Sequence, residues 1–135
     1  GCVSHEVIDE KNILRATQLA MKQAVEGLAV TPDLLLVDAV QIPDVSCRQI
    51  GIIKGDARSI SIAAASIVAK VTRDRMMCEF DGLYPGYEFA SNKGYGSEAH
   101  IKALNERGPC PIHRRSFLKN LEIAKAGKDE GRAGL

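Results

Sequence analysis

A chain of 135 residues, 45% apolar and 26% charged, has the size and composition of one ordinary globular domain able to bury a core. No apolar run approaches the roughly 18 residues of a membrane span and no signal-peptide pattern opens the chain, which excludes a membrane-spanning protein and sets the expectation of a cytoplasmic one. The net charge of +1 hides an asymmetry: residues 1–90 carry a balance of −3 and residues 91–135 one of +4, which suits a phosphate-bearing ligand held near carboxylates. The four cysteines are scattered without a C-x-x-C pair, which argues against a zinc site and for reduced thiols.

In chain order, residues 2–8 predict a short strand, with Asp9 as N-cap of the helix that follows. From Asn12 to Leu28 the apolar side chains of Ile13, Leu14, Met21, Ala24, Val25 and Leu28 recur at helical spacing and predict one amphipathic helix. Thr31-Pro32-Asp33 marks the loop out of it. Leu34 to Val37 is a continuous apolar run, the pattern of a strand buried on both faces, and Asp38 ends it. After a Pro-interrupted loop, Gln49–Ile53 is a second strand candidate. Then comes Asp56, followed by a helix rich in Ala and Ser that turns strongly charged at Arg73-Asp74-Arg75.

The small side chains Ala63, Ala64, Ala65, Ser66 and Ala69 would let that helix lie very close to its neighbour, and Ser59 or Ser61 can cap its first turn. Asp56 would then sit at the helix mouth, near the positive end of the dipole. Lys70, Arg73 and Arg75 are expected to share the far end of the helix, in ion pairs or against its C-terminal dipole. Tyr84 to Tyr87 reads as a turn and Asn92 to Gly96 as a glycine-framed loop. Ser97 caps a short helix that Gly108-Pro109 stops, and a last helix is predicted from about Arg115 to Ala126. Strands and helices in this order predict an α/β domain with a central sheet.

Asp38 and Asp56 each follow an apolar strand. If those strands are neighbours, the two carboxylates converge at one end of the sheet, where ionising both favours a cation. A hard ion such as Mg²⁺ or Mn²⁺ suits oxygen ligands of this kind. The alternative is that Asp38 only terminates a strand and Asp56 only caps a helix or sits in a solvated turn. Tyr95, between Gly94 and Gly96, can stack on a sugar or base, or else plug its loop onto the core. Cys110 to Arg115 brings His113, Arg114 and Arg115 together as potential phosphate contacts. His100 reads as a polar helix residue.

These stretches together resemble the ribonuclease HII family over roughly residues 3 to 120. Ile8 to Thr17 is similar to the family's Ile-Asp-x-x-Asn-Ile-Leu-x-Ala-Thr pattern, and Leu36-Val37-Asp38-Ala39 resembles its Val-Asp-Gly strand end. Lys54 to Arg75, Asn92 to Ser97 and Gly108 to Phe117 look like its remaining signatures.

The resemblance implies a ribonuclease-H-like mixed sheet flanked by helices, with a helical C-terminal part. It implies a metal-dependent endonuclease that cuts the RNA strand of RNA/DNA hybrids, or DNA containing ribonucleotides, and leaves 5′-phosphate ends. It makes Asp38 and Asp56 catalytic Mg²⁺ or Mn²⁺ ligands, and Tyr95 the residue that stacks on the sugar at the RNA–DNA junction. Asn92, Lys93, His113 and Arg114 become further substrate contacts.

The family's opening strand, with adjacent Asp and Glu followed by Gly-Arg-Gly, has no counterpart here. Asp129-Glu130-Gly131-Arg132 only echoes it, without the apolar strand that should precede it. Residues 1–120 are therefore expected to be a partial catalytic domain lacking its N-terminal strands, and 121–135 the end of the last helix and a charged tail. Such a chain is expected to be inactive alone and to belong to an enzyme that is monomeric when complete. The rival readings are a non-catalytic nucleic-acid-binding module and an inert fragment.

Overall fold

The structure, a computed structural model, describes residues 1–119. The last part of the predicted final helix, the tail 121–135 and the Asp129-Glu130 echo lie outside the described residues. The fold is mixed α/β, helix-rich, with a small two-stranded parallel sheet. The chain forms two compact units that divide after Val71.

The first unit opens on helix, not on the expected strand: α1 spans His5–Lys11. Ser4 is extended at its N-cap, Glu6 sits in the first turn and Lys11 in the last, so the ends carry the charges that a helix dipole favours. Asp9 lies inside α1, and the cap of the next helix, α2 (Ile13–Glu26), is Asn12. The Asn12 backbone is left-handed (φ 72°), and its side chain accepts a hydrogen bond from the Arg15 amide.

Strand β1 (Leu34–Asp38) pairs in parallel with β2 (Arg48–Ile52), Asp38 standing opposite Ile52. Residues 39–47 carry the chain back with no helix, and a side chain staples this return. The Gln49 amide accepts from Ile42 N at 2.8 Å and donates to Ile42 O at 2.9 Å, as a neighbouring strand would. In β1 only Val37 is buried; Leu34 and Leu36 are 41% and 38% exposed, so the expected burial on both faces is not found. The described sheet has only two strands, and an apolar pattern states what a strand tolerates rather than what covers it.

A four-residue helix, α3 (Gly55–Arg58), follows β2, and extended Ser59 separates it from the long α4 (Ile60–Leu83). Asp56 thus belongs to the first turn of α3, not to the mouth of the Ala-rich helix. Ser59 caps α4, its Oγ accepting from Ile62 N at 3.4 Å. Of the small residues on α4, Ala64, Ala65, Ser66 and Ala69 are exposed and Ala63 half-buried; the buried anchor is Ile62. Lys70, Arg73 and Arg75 lie mid-helix, because Lys and Arg are good helix formers and the single Asp74 costs too little to stop a turn that Met76 to Phe80 continue. Pro85 stops what the charges do not.

The second unit, from Thr72 on, contains the rest of α4, then α5 (Phe89–Asn92), α6 (Glu98–Arg107) and α7 (Arg115–Leu118). Ser97 accepts from His100 N and caps α6, and left-handed Gly108 ends it, as expected. Tyr87, Phe89, Ala103 and Leu104 form the core, with Met77, Phe80, Tyr84, Cys110, Ile112 and Leu118 packed on it. Leu104→Ala is expected to cost about 2–5 kcal/mol in urea denaturation of this chain, while Ile60→Ala, 88% exposed, stays within roughly 0.5 kcal/mol.

Polar atoms thread this core in one direction. The Cys110 amide donates to His113 Nδ1 at 3.0 Å, which makes that nitrogen an acceptor and puts the proton of the neutral ring on Nε2. His113 Nε2 lies 3.3 Å from His100 Nε2, and His100 Nδ1 lies 3.0 Å from Tyr87 O and 3.3 Å from Asn92 Nδ2. With His113 as the donor, His100 accepts at Nε2 and its own proton falls on Nδ1, facing the carbonyl. Asn92 Nδ2 donates to the same carbonyl at 2.7 Å. Burial holds the Cys110 thiol above its usual pKa range, against smaller opposing pulls from backbone hydrogen bonds. We expect long-range ¹H–¹⁵N spectra to show His113 as the Nε2–H tautomer and His100 as the Nδ1–H tautomer. The opposite tautomer at one ring alone would break the relay, and at both it would reverse it.

Candidate functional site

Parallel pairing puts the C-terminal ends of β1 and β2 on one rim of the sheet, and an acid follows each: Asp38 as the last residue of β1, Asp56 in the first turn of α3. Both are exposed. Between them lies Gly55, whose backbone N–H donates to Asp38 Oδ1 at 2.8 Å. A Cβ on Gly55 would come within 2.6 Å of the Ile62 Cδ1 atom and 3.2 Å of Asp38 Oδ1, so a side chain there would have to push both aside. Asp56 Oδ1 accepts from the Ala57 amide at 2.9 Å.

The residues that bracket the acids are strained. Ala39, directly after Asp38, and Lys54, directly before Gly55, are non-glycine residues at φ 59° and 53°. Such conformations cost on the order of 1–2 kcal/mol each and gather at functional sites. The chain leaves each strand in an abrupt turn, and the acids stand at those turns.

The two carboxylates offer hard oxygen donors, each with one of its two oxygens engaged by a backbone amide. That chemistry fits Mg²⁺ or Mn²⁺ rather than a soft metal. Among the described residues no third Asp, Glu, His or Cys joins them in a group able to hold a metal. Among the described residues the rim thus offers two carboxylates and no enclosed metal-binding group.

The other candidate residues belong to the second unit, and the structure separates them into two kinds. Asn92 and His113 are buried, 9% and 8% exposed, and serve the core relay. The other end of the Asn92 side chain, Oδ1, accepts from Gly94 N at 2.8 Å and so fixes the loop that follows. Lys93 is half-buried and left-handed (φ 51°), its ammonium folded back onto Ala90 O and, at 3.2 Å, onto Cys78 Sγ. Tyr95 is 66% exposed, with the Arg73 guanidinium 5.6 Å from its ring centroid. Arg114 lies 4.0 Å from the Phe117 ring centroid, a cation–π contact within its own turn.

Sequence reasoning missed Gly55, Gln49 and Arg73. Glycine directly before Asp56 was the signal for the first. The other two act through bonds to the backbone of Ile42 and of Lys93, contacts that the fold makes and local patterns do not encode.

Comparison with known proteins follows the same residues. A family model described as Ribonuclease HII matches residues 2–120. A protein of Lachnoclostridium phytofermentans named Ribonuclease HII is 67% identical over 121 residues, 90% of this chain and 48% of the relative. Proteins of the same name from Clostridioides difficile and Caldanaerobacter subterraneus subsp. tengcongensis are 56% and 55% identical over 121 residues each, covering 90% of this chain and 48% and 50% of theirs. The chain spans about half the length of the curated relatives it matches. With nearly all of its length matched by the family model, the chain belongs to the ribonuclease HII family.

Proposed function

We propose that this chain carries half of the metal site of an endonuclease that hydrolyses the RNA strand of RNA/DNA hybrids, or DNA containing ribonucleotides, leaving 5′-phosphate ends. The observation that carries the reading is the acid pair on one sheet rim, with Asp38 oriented by the Gly55 amide, in a chain of the ribonuclease HII family. Asp38 and Asp56 would hold the divalent ion. When bound, Mg²⁺ or Mn²⁺ supplies an activated water and neutralises charge on the phosphate and the leaving 3′ oxygen. The Gly55 amide orients Asp38 by engaging one oxygen, and the Ala57 amide does the same for Asp56.

Tyr95 is the substrate contact in this reading, since its ring is exposed and framed by glycines. Asn92 and His113 support it from the core. Lys93 shapes the loop, and Arg114, in the Cys110–Arg115 turn, would be a phosphate contact. No helix among the described residues is long and apolar enough to cross a membrane, and the proposal places the enzyme in the cytoplasm as a monomer.

The test joins this chain to the remaining half of the Lachnoclostridium phytofermentans relative. The chimera is expected to cleave a short RNA/DNA hybrid in Mg²⁺ or Mn²⁺, and the 135-residue chain alone to leave it intact, since two carboxylates are an incomplete ligand set. In the chimera, Asp38→Asn should abolish turnover, because losing one ligand forfeits charge stabilisation of several kcal/mol. Hybrid affinity should hold or rise, with one negative charge fewer facing the phosphates. Hybrid binding with no cleavage by the unsubstituted chimera would instead identify a binding module.

Tyr95→Ala in the chimera is expected to cost roughly ten- to hundredfold in single-turnover cleavage, the worth of a sugar or base laid against the ring, with little change in melting temperature. A large fall in melting temperature with normal cleavage by the folded fraction would make Tyr95 a core plug.

A further inference from the structure

An exposed ring between two glycines has few neighbours to hold it, yet a residue that reads a substrate must present one face. In this structure one side chain from α4 bonds one residue of the loop and lies beside the next two. Arg73 Nη1 donates to Lys93 O at 2.7 Å. Its Nη2 passes 3.2 Å from where a Cβ on Gly94 would stand. Its guanidinium carbon lies 5.6 Å from the Tyr95 ring centroid, within cation–π range. Met77, one turn further along the same face of α4, has its Cε 3.1 Å from the same Gly94 position.

The loop needs such a seat because its backbone is strained. Lys93 and Gly94 are both left-handed, at φ 51° and 79°, a run that an L-residue at the first position resists. From the core side Asn92 Oδ1 takes the Gly94 amide and Asn92 O takes the Tyr95 amide at 2.9 Å. Asn92 fixes where the loop turns. Those two bonds hold the backbone and not the ring, beside which the Arg73 guanidinium stands.

We propose that Arg73 is a positioning residue for substrate recognition: its guanidinium clamps the Lys93 carbonyl and the Tyr95 ring together, so that the ring meets the nucleic acid already oriented. The proposal rests on the reading of Tyr95 as a substrate contact. Arginine suits the task because its planar fork donates from one edge while its face lies against an aromatic, which the point charge of lysine cannot do at once. An ordered ring loses less rotational freedom on binding, so the gain falls on substrate affinity rather than on the chemical step.

The test uses the chimera with the Lachnoclostridium phytofermentans half, a short RNA/DNA hybrid and steady-state kinetics. Arg73→Met should raise KM roughly three- to tenfold with kcat within about twofold, and Arg73→Lys should recover only part of the loss. In a Tyr95→Ala background, Arg73→Met should cost nothing further. If the two losses multiply independently, Arg73 touches the substrate itself and the positioning role is overturned. If Tyr95→Ala is costly but Arg73→Met is harmless, the reading of Tyr95 stands and only the clamp falls. If Tyr95→Ala is harmless, that reading falls and the clamp with it. Should Arg73→Met unfold the chimera, Arg73→Gln, which keeps a donor for the Lys93 carbonyl but no charge on the ring, is read the same way; an unchanged KM overturns the proposal.

Discussion

Parallel pairing of β1 and β2 is the constraint from which the acidic rim follows. Parallel strands must both end on the same side, so an acid after each strand stands near the other without any further device. The cost of that geometry is the return. The chain travels the length of the sheet over residues 39–47 with no helix to satisfy its backbone, and the Gln49 amide supplies part of what a strand would. The abrupt exits force Ala39 and Lys54 into left-handed backbone. Against that strain stands the Gly55–Asp38 hydrogen bond, and hydrogen bonds to charged groups contribute roughly 1.5–3 kcal/mol.

The two units solve one problem in one way. In the first, Lys54-Gly55 presents Asp56; in the second, Lys93-Gly94 presents Tyr95. In each, the lysine is left-handed, and the glycine amide donates at 2.8 Å to a side-chain oxygen, of Asp38 or of Asn92. In each, a Cβ on the glycine would crowd its neighbours. A strained residue turns the chain, a glycine allows close approach, and a side chain bonds the glycine amide so that the turn holds.

What could be read from the sequence was what local chemistry decides. The helix after Asn12, the two strands, the Ser97 cap and the Gly108 stop all announce themselves within a few residues, and the structure has them. Residues 2–8 misled because a few apolar residues without a long period fit a short strand as well as a first helical turn, and Ser4, Glu6 and Lys11 favour the helix ends. The Arg73-Asp74-Arg75 block misled because charge was taken as the end of a helix that only Pro85 stops. Asn92 and His113 could be found as polar residues in a promising loop. That Asn92 faces inward depends on Tyr87 O, and that His113 does depends on His100, thirteen residues away in sequence and joined to it only by the fold.

The imidazole pair has a consequence for how such a chain can change over generations. The direction of donation is set from outside, by the Cys110 amide at one end and the Tyr87 carbonyl at the other. Replacing either ring alone strands a buried donor or acceptor, at roughly 1–3 kcal/mol, and replacing both removes the bond between the rings but still leaves the Cys110 amide without its acceptor. Single-step drift at position 100 or 113 therefore passes through a disfavoured intermediate. Two backbone groups that no substitution removes, one at each end, thus hold both rings in place.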